Sequence, residues 1–260
     1  MKIKYYQIDA FTGELFKGNP GGVCPLDKWI DDGLMQKIAM EANLSETGFF
    51  VPRGDDFEIR WFTPAVEVEM CGHDTLACAH VIFNYLDFDR DEIIFHSMSG
   101  ILKVAQKKDI YYLDFPTDNP RQVDPPRELI DGLGLKPLEV VKGRDYIALY
   151  ENESDILSIK PDFKMLAELD ALGIAITAQG INSDFVSRFF APSVGIDEDP
   201  VTGSAHTQLI PYWAKKLNRE KLHALQLSMR GGELFCELKG NRVIIGGRAV
   251  TYLQGEINTG

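Results

Sequence analysis

The sequence predicts an α+β chain of two similar halves, each a β-rich sheet wrapped around one apolar helix with a second helix outside. Three observations carry this. Segments of the first half recur in order in the second, short alternating stretches lie between polar turns, and two apolar helical stretches occupy corresponding places. The recurrence opens with Arg60-Trp61-Phe62-Thr63-Pro64-Ala65-Val66 and Arg188-Phe189-Phe190-Ala191-Pro192-Ser193-Val194, each running into acidic residues. Cys78-Ala79-His80 then matches Ser204-Ala205-His206, and Ser97-Met98-Ser99-Gly100 matches Ser228-Met229-Arg230-Gly231.

Taken in order, positions 3–11 alternate as a strand does, and 27–44 carry Leu34, Ile38, Ala39 and Ala42 at helical spacing behind Asp31 and Asp32. Positions 47–52 and 56–62 form a hairpin around Arg53-Gly54-Asp55, 74–83 an apolar buried helix, and 92–96, 101–105 and 110–115 strands. A proline- and charge-rich stretch, 116–126, reads as a linker. Beyond it lie strands within 140–150, a helix over 162–172, strands over 174–178 and 184–190, a second apolar helix over 203–216, and three further strands. The division expected is 1–116, joined by a C-terminal strand over 250–260, and 117–249.

Composition narrows the function classes. The chain has 260 residues and is 45% hydrophobic and 25% charged, a profile with core enough for two domains. Lys plus Arg minus Asp plus Glu is 27 − 39 = −12, and no basic patch is present to displace counterions, so nucleic acid is not an expected partner. No apolar run approaches a membrane span. Four cysteines (Cys24, Cys71, Cys78, Cys236) are too few for a disulfide scaffold, and a cytoplasmic location is expected.

Two related halves should meet at a cleft lined by equivalent loops, 67–75 and 196–204, each leading into a buried helix. An offset of 126 sets His73 against Asp199 and Cys78 against Ser204. Unpaired N–H groups at the helix starts, with Gly72, Gly203 and Ser204 allowing close approach, suit a small anionic metabolite. Asp199 and Thr75 would equally serve as plain helix caps.

Gly18-Asn19-Pro20, Asn43-Leu44-Ser45-Glu46-Thr47, Arg60…Phe62-Thr63-Pro64, Cys71-Gly72-His73 and Glu198-Asp199-Pro200-Val201-Thr202-Gly203-Ser204-Ala205 occur in that order. In these motifs the chain resembles the PhzF family of phenazine-biosynthesis-like proteins over almost its whole length. The resemblance implies a diaminopimelate-epimerase-like fold, two pseudo-symmetric domains each an antiparallel barrel-like sheet around a central helix, and an isomerase-type site between them. It implies no metal or organic cofactor, and a homodimer. Matched by motif, Glu46 is the catalytic acid/base and His73 and Asp199 act with it. Ser45, Gly72, Gly203 and Ser204 line the substrate pocket, and Asn19 has a more structural role.

The chemistry asked of Glu46 is consistent with its surroundings. Moving a proton on carbon needs a base held out of water and stabilisation of the developing charge. Glu46 lies between an apolar helix and the strand Gly48-Phe49-Phe50-Val51, and the second half has no carboxylate at the corresponding point near Ile176–Thr177. A two-thiol racemase would need a cysteine from each half, and the second half offers Thr202-Gly203-Ser204 instead. Cys71 acting with Glu46 in an amino-acid epimerase or racemase is the alternative, and a non-catalytic metabolite-binding protein of the same fold the other. Cys71, His73, Cys78 and His80 match no common zinc spacing, so no metal is expected.

Overall fold

Alternation of buried Ile3, Tyr6 and Ile8 with exposed Lys2 and Lys4 and half-buried Tyr5 and Gln7 makes the first strand, β1 (Lys2–Ala10). The computed structural model describes residues 1–260 and gathers them into two units, Met1–Asp114 with Gly246–Gly260, and Phe115–Ile245.

After β1 the first unit runs β2 (Asn19–Pro25), α1 (Asp32–Ala42), β3 (Thr47–Arg53), β4 (Asp56–Phe62), β5 (Glu67–Val68), α2 (Gly72–Tyr85), β6 (Glu92–Ser97), β7 (Gly100–Lys107) and β8 (Ile110–Pro116). The C-terminal strand Ala249–Asn258 returns to pair antiparallel with β1. Most pairings are antiparallel, but β2–β3 and β4–β6 are parallel, so the sheet is mixed rather than wholly antiparallel. The cause is topological: a helix lies within each connection, and a crossover returns the chain in the same direction.

Helix α1 is the outer helix. It starts at Asp32, later than the spacing suggests, because Asp31 caps it by accepting from the Leu34 N–H, and it stops where Asn43 turns left-handed. Met35, Ile38 and Ala39 pack with Phe49, Val51 and Phe62. Helix α2 has no solvent face over its first three turns, every residue from Gly72 to Ile82 being buried, and it packs on β1, β2 and β3. Small residues on two strands let it come this close: a Cβ on Gly21 would overlap the Asp74 carboxyl, and one on Gly48 both that carboxyl and the Cys78 sulfur. Gly48→Ala is expected to cost about 1–3 kcal/mol by overpacking. In denaturant titrations the double variant Gly48→Ala/Asp74→Ala should lose less than the sum of the single losses.

The second unit repeats the plan. Its elements are β9 (Arg121–Gln122), α3 (Arg127–Leu133), β10 (Glu139–Lys142), β11 (Tyr146–Leu149), α4 (Glu153–Ser158), α5 (Phe163–Leu166), β12 (Ile174–Gln179), β13 (Phe185–Ala191), β14 (Ile196–Asp199), α6 (Gly203–Leu217), β15 (Lys221–Gln226), β16 (Gly232–Lys239) and β17 (Arg242–Gly247). β11–β12 and β13–β15 are its parallel pairs, again across helices, and α6 takes the place of α2. The helix expected over 162–172 shortens to α5, which Asp162 caps by accepting from the Lys164 and Met165 N–H groups, and α4 lies wholly before that range. The linker reading of 116–126 also gives way in part, since β9 pairs with β10.

The Arg-x-Phe-x-Pro echo has a physical content. Arg60 on β4 makes a two-pronged bond to Glu67 on β5, 2.6 and 2.7 Å, and Arg188 on β13 does the same to Glu198 on β14, 2.7 and 2.9 Å. Each guanidinium also lies over its own phenylalanine, 5.2 Å from Phe62 and 5.0 Å from Phe190. The Cys-Ala-His and Ser-Ala-His echo does not survive. The helix starts align Gly72 with Gly203 and therefore His73 with Ser204, not with Asp199. The turn Pro192–Val194 precedes β14, so the offset changes between the arginines and the helices.

Candidate active site

Glu46 directly precedes β3, and its carbonyl accepts from the Gly22 N–H at 3.1 Å, which fixes the entry of the strand beside β2. His73 is the second residue of α2 and is buried. Between them, His73 Nε2 faces Glu46 Oε2 at 3.4 Å, with side chains 6% and 15% exposed. Asn19, at the start of β2 and inaccessible to solvent, places its Nδ2 3.2 Å from His73 Nδ1. An amide nitrogen only donates, so Nδ1 accepts and the ring proton sits on Nε2, towards Glu46. Burial pushes the His73 imidazole down to about 3, which keeps it neutral. Cys71, the N-cap residue of α2, lies with Sγ 3.5 Å from His73 Nδ1 and 4.0 Å from Nε2.

Asn19 therefore does more than the motif assigns it. It stands 54 positions from His73, and only the pairing of β1 with β2 and the packing of α2 on both bring the two together. Asp74 was not singled out either. It is wholly buried, neither oxygen has a hydrogen-bond partner, and burial first and the Glu46 charge second hold its carboxyl well above the usual range. Ser45 is half-buried in the link between α1 and β3.

The predicted residues of the second unit form their own group at the start of α6. Asp199 ends β14 and its Oδ2 accepts from the Thr202 hydroxyl at 2.5 Å. Gln226 secures the loop, its Oε1 accepting from the Thr202 N–H at 2.9 Å and its Nε2 donating to the Asp199 carbonyl at 2.8 Å. Thr202 is the N-cap residue but makes no side-chain cap bond, Gly203 opens the helix buried, and Ser204 is half-buried. Asp199 thus braces the turn before α6 rather than capping the helix. The counterpart of Glu46 is Gly173, immediately before β12, a shift from the position near Ile176 expected from the sequence; it too lacks a carboxylate.

One turn into α6, His206 is buried and its Nδ1 lies 2.8 Å from the Thr202 carbonyl. A carbonyl only accepts, so Nδ1 carries the proton, and Nε2 has no partner. Burial lowers the imidazole to about 4, against about 6.5 in an unfolded chain. The unfolded state therefore binds the proton first as pH falls, and stability is lost from about pH 6.5 down to the folded value. His206→Gln lacks this dependence. Urea unfolding at pH 7.5, 6 and 5 should show the wild type losing ground to it by about 1.4 kcal/mol per unit below pH 6.

Metal-donor atoms are grouped once in a way the zinc reading of the sequence did not anticipate. Cys78 lies in the α2 interior near Gly48, and His80 pairs with Tyr111 and Thr251. Cys71, His73 and Glu46 instead present a sulfur, a nitrogen and an oxygen within 4.8 Å of one another.

Paired sheet-and-helix units of this design define the class of two-lobed epimerase-like folds. A hydroxyproline epimerase of Agrobacterium vitis shares the fold at 11% identity, with a TM-score of 0.62 over 98% of this chain and 92% of its own. The model of the phenazine biosynthesis-like protein family matches residues 8–255, and the chain belongs to this family, PhzF. A PhzF-family protein of Enterococcus faecalis superposes with a TM-score of 0.97 at 48% identity, covering 99% of this chain and 100% of its own. A Pseudomonas aeruginosa protein named as an uncharacterized isomerase is 50% identical over 258 residues, 99% of each chain. No helix is long and apolar enough to cross a membrane.

Proposed function

We propose that the chain is a cofactor-independent isomerase that moves a proton on carbon of a small carboxylate-bearing metabolite, with Glu46 as the acid/base. The observation that carries this is the facing of Glu46 and His73 across 3.4 Å at the buried start of α2. A carboxylate withdrawn from water is the stronger base, and a neutral imidazole N–H beside it stabilises charge developing on a substrate oxygen without itself competing for the proton. Asn19 sets the tautomer that makes this arrangement work. In the second unit, Asp199, through Thr202, is assigned to holding the loop before α6 in shape. Gly72 and Ser45 are assigned to shaping the pocket beside Glu46 and His73. The isomerase name of the 50% identical relative supports the same reading.

A second reading has one observation in its favour. Cys71 Sγ lies 3.5 Å from His73 Nδ1, which puts both groups of an epimerase using Cys71 with Glu46 beside one imidazole. The two readings separate in D2O. The wild-type protein is incubated without added cofactor with a panel of L-amino acids and of unsaturated amino and hydroxy carboxylates, followed by proton NMR. At least one carboxylate should lose a C–H signal, and Cys71→Ser should leave that exchange within a few-fold of wild type. Exchange abolished by Cys71→Ser selects the epimerase, and no exchange across the panel counts against both.

A further inference from the structure

We propose that Cys71, His73 and Glu46 form a binding site for a borderline-soft divalent cation of the Zn2+ type, and that occupation of this site silences the acid/base. Three different donors converge here from two elements: the thiol and the imidazole from the start of α2, the carboxylate from the entry to β3. This donor mixture suits zinc and cobalt and is poorly matched to magnesium or calcium, which take oxygen ligands.

The spacing is that of a coordination shell before closure. Around a tetrahedral zinc with bonds of about 2.1 Å to nitrogen and oxygen, the two donor atoms stand about 3.4 Å apart. His73 Nε2 and Glu46 Oε2 already have this separation, 3.4 Å. With a Zn–S bond of about 2.3 Å the nitrogen and sulfur stand about 3.6 Å apart. Cys71 Sγ is 4.0 Å from Nε2 and 3.5 Å from Nδ1, so closing the shell requires the thiol to swing about its single side-chain torsion towards the Nε2 edge of the ring.

The outer shell is present as well. A metal on Nε2 requires the ring proton on Nδ1, and Asn19 faces Nδ1 at 3.2 Å. A half-turn of its amide exchanges the donating nitrogen for the accepting Oδ1, which fixes a metal-binding imidazole in the usual second-shell manner. The balance is simple: Cys71 enters as thiolate and gives its proton to solvent, the ring proton moves from Nε2 to Nδ1, and the fourth position stays with water. The metal then holds the carboxylate that the proposed isomerisation uses as its base. That inhibitory consequence rests on the function proposed above; the binding does not.

Co2+ added to the full-length wild-type protein should produce a sulfur-to-cobalt charge-transfer absorption, and Zn2+ should abolish it at one equivalent. Competition with a chromophoric chelator gives the Zn2+ affinity. Cys71→Ser should lose the absorption, and Cys71→Ser and Glu46→Gln should each weaken Zn2+ binding at least about tenfold. An unfolding midpoint within a few degrees of wild type certifies each variant as folded, and Cys236→Ser should retain the absorption. No absorption in the wild type, or absorption persisting in Cys71→Ser, overturns the site. C–H exchange on metal-free protein is measured separately, so loss of the metal site and loss of the isomerase reading give different results.

Discussion

Glu46→Gln should lower the rate of substrate C–H exchange by about 10^2–10^4, the contribution of a positioned acid/base, or roughly 3–5 kcal/mol of barrier. The amide is nearly isosteric and keeps the backbone bond from the Gly22 N–H to the Glu46 carbonyl, so the β3 entry and the fold remain. Because the lost interaction belongs to the reacting state, the fall should appear in kcat with KM changed little. Glu46→Asp retains a carboxylate but withdraws it by one methylene, and should recover only part of the rate. A Glu46→Gln protein exchanging within threefold of wild type would remove Glu46 from the reaction.

The second large effect concerns the fold. Arg188→Ala should destabilise the protein by about 3–5 kcal/mol, the cost of stripping one partner from a mostly buried ion pair. Arg188 is 13% exposed at its side chain and Glu198 23%. Besides its two bonds to Glu198, the guanidinium donates through Nη1 to the carbonyls of Ile156 and Ile159, at 3.1 and 2.9 Å. Removing it leaves a carboxylate and two carbonyls to find other partners. Arg188→Lys keeps the charge but cannot reproduce the fork, so it should fall between. Arg60→Ala should cost less, because Arg60 is 22% exposed and its second acidic partner, Asp32, lies in solvent at 74%. Denaturant unfolding of the three variants checks the order; a loss below 1 kcal/mol for Arg188→Ala would contradict it.

These two predictions differ in how far the sequence alone carried them. The arginine clamps were visible as an echo, because an Arg and an aromatic two residues on keep their spacing along equivalent strands, while the acidic partner follows at seven residues in one half and ten in the other. Glu46 was visible as a carboxylate present in one half and missing from the other, and the structure gives that absence a definite position at Gly173. What was not legible depends on packing. Asn19 reaches His73 only through strand pairing across 54 positions. Asp74 looks like any acidic residue in a first helical turn until Gly21 and Gly48 are seen to make room for it. The match of Cys78-Ala79-His80 to Ser204-Ala205-His206 misled because small residues recur at buried helix faces for packing reasons, at any offset. The helix starts supply the true register, and it aligns His73 with Ser204.

A single acid/base should both remove and return the hydrogen, which sets the most direct test. The carboxylate found to exchange is converted by wild-type protein in D2O under single-turnover conditions, and the product is analysed by mass spectrometry for hydrogen at the newly protonated carbon. A base shielded as Glu46 is, 15% exposed, should return a measurable fraction of the substrate's own hydrogen, and Glu46→Gln should form no product on the same timescale. Product fully deuterated at that carbon, with Glu46→Gln still releasing the substrate hydrogen to solvent, would mean that another group begins the reaction.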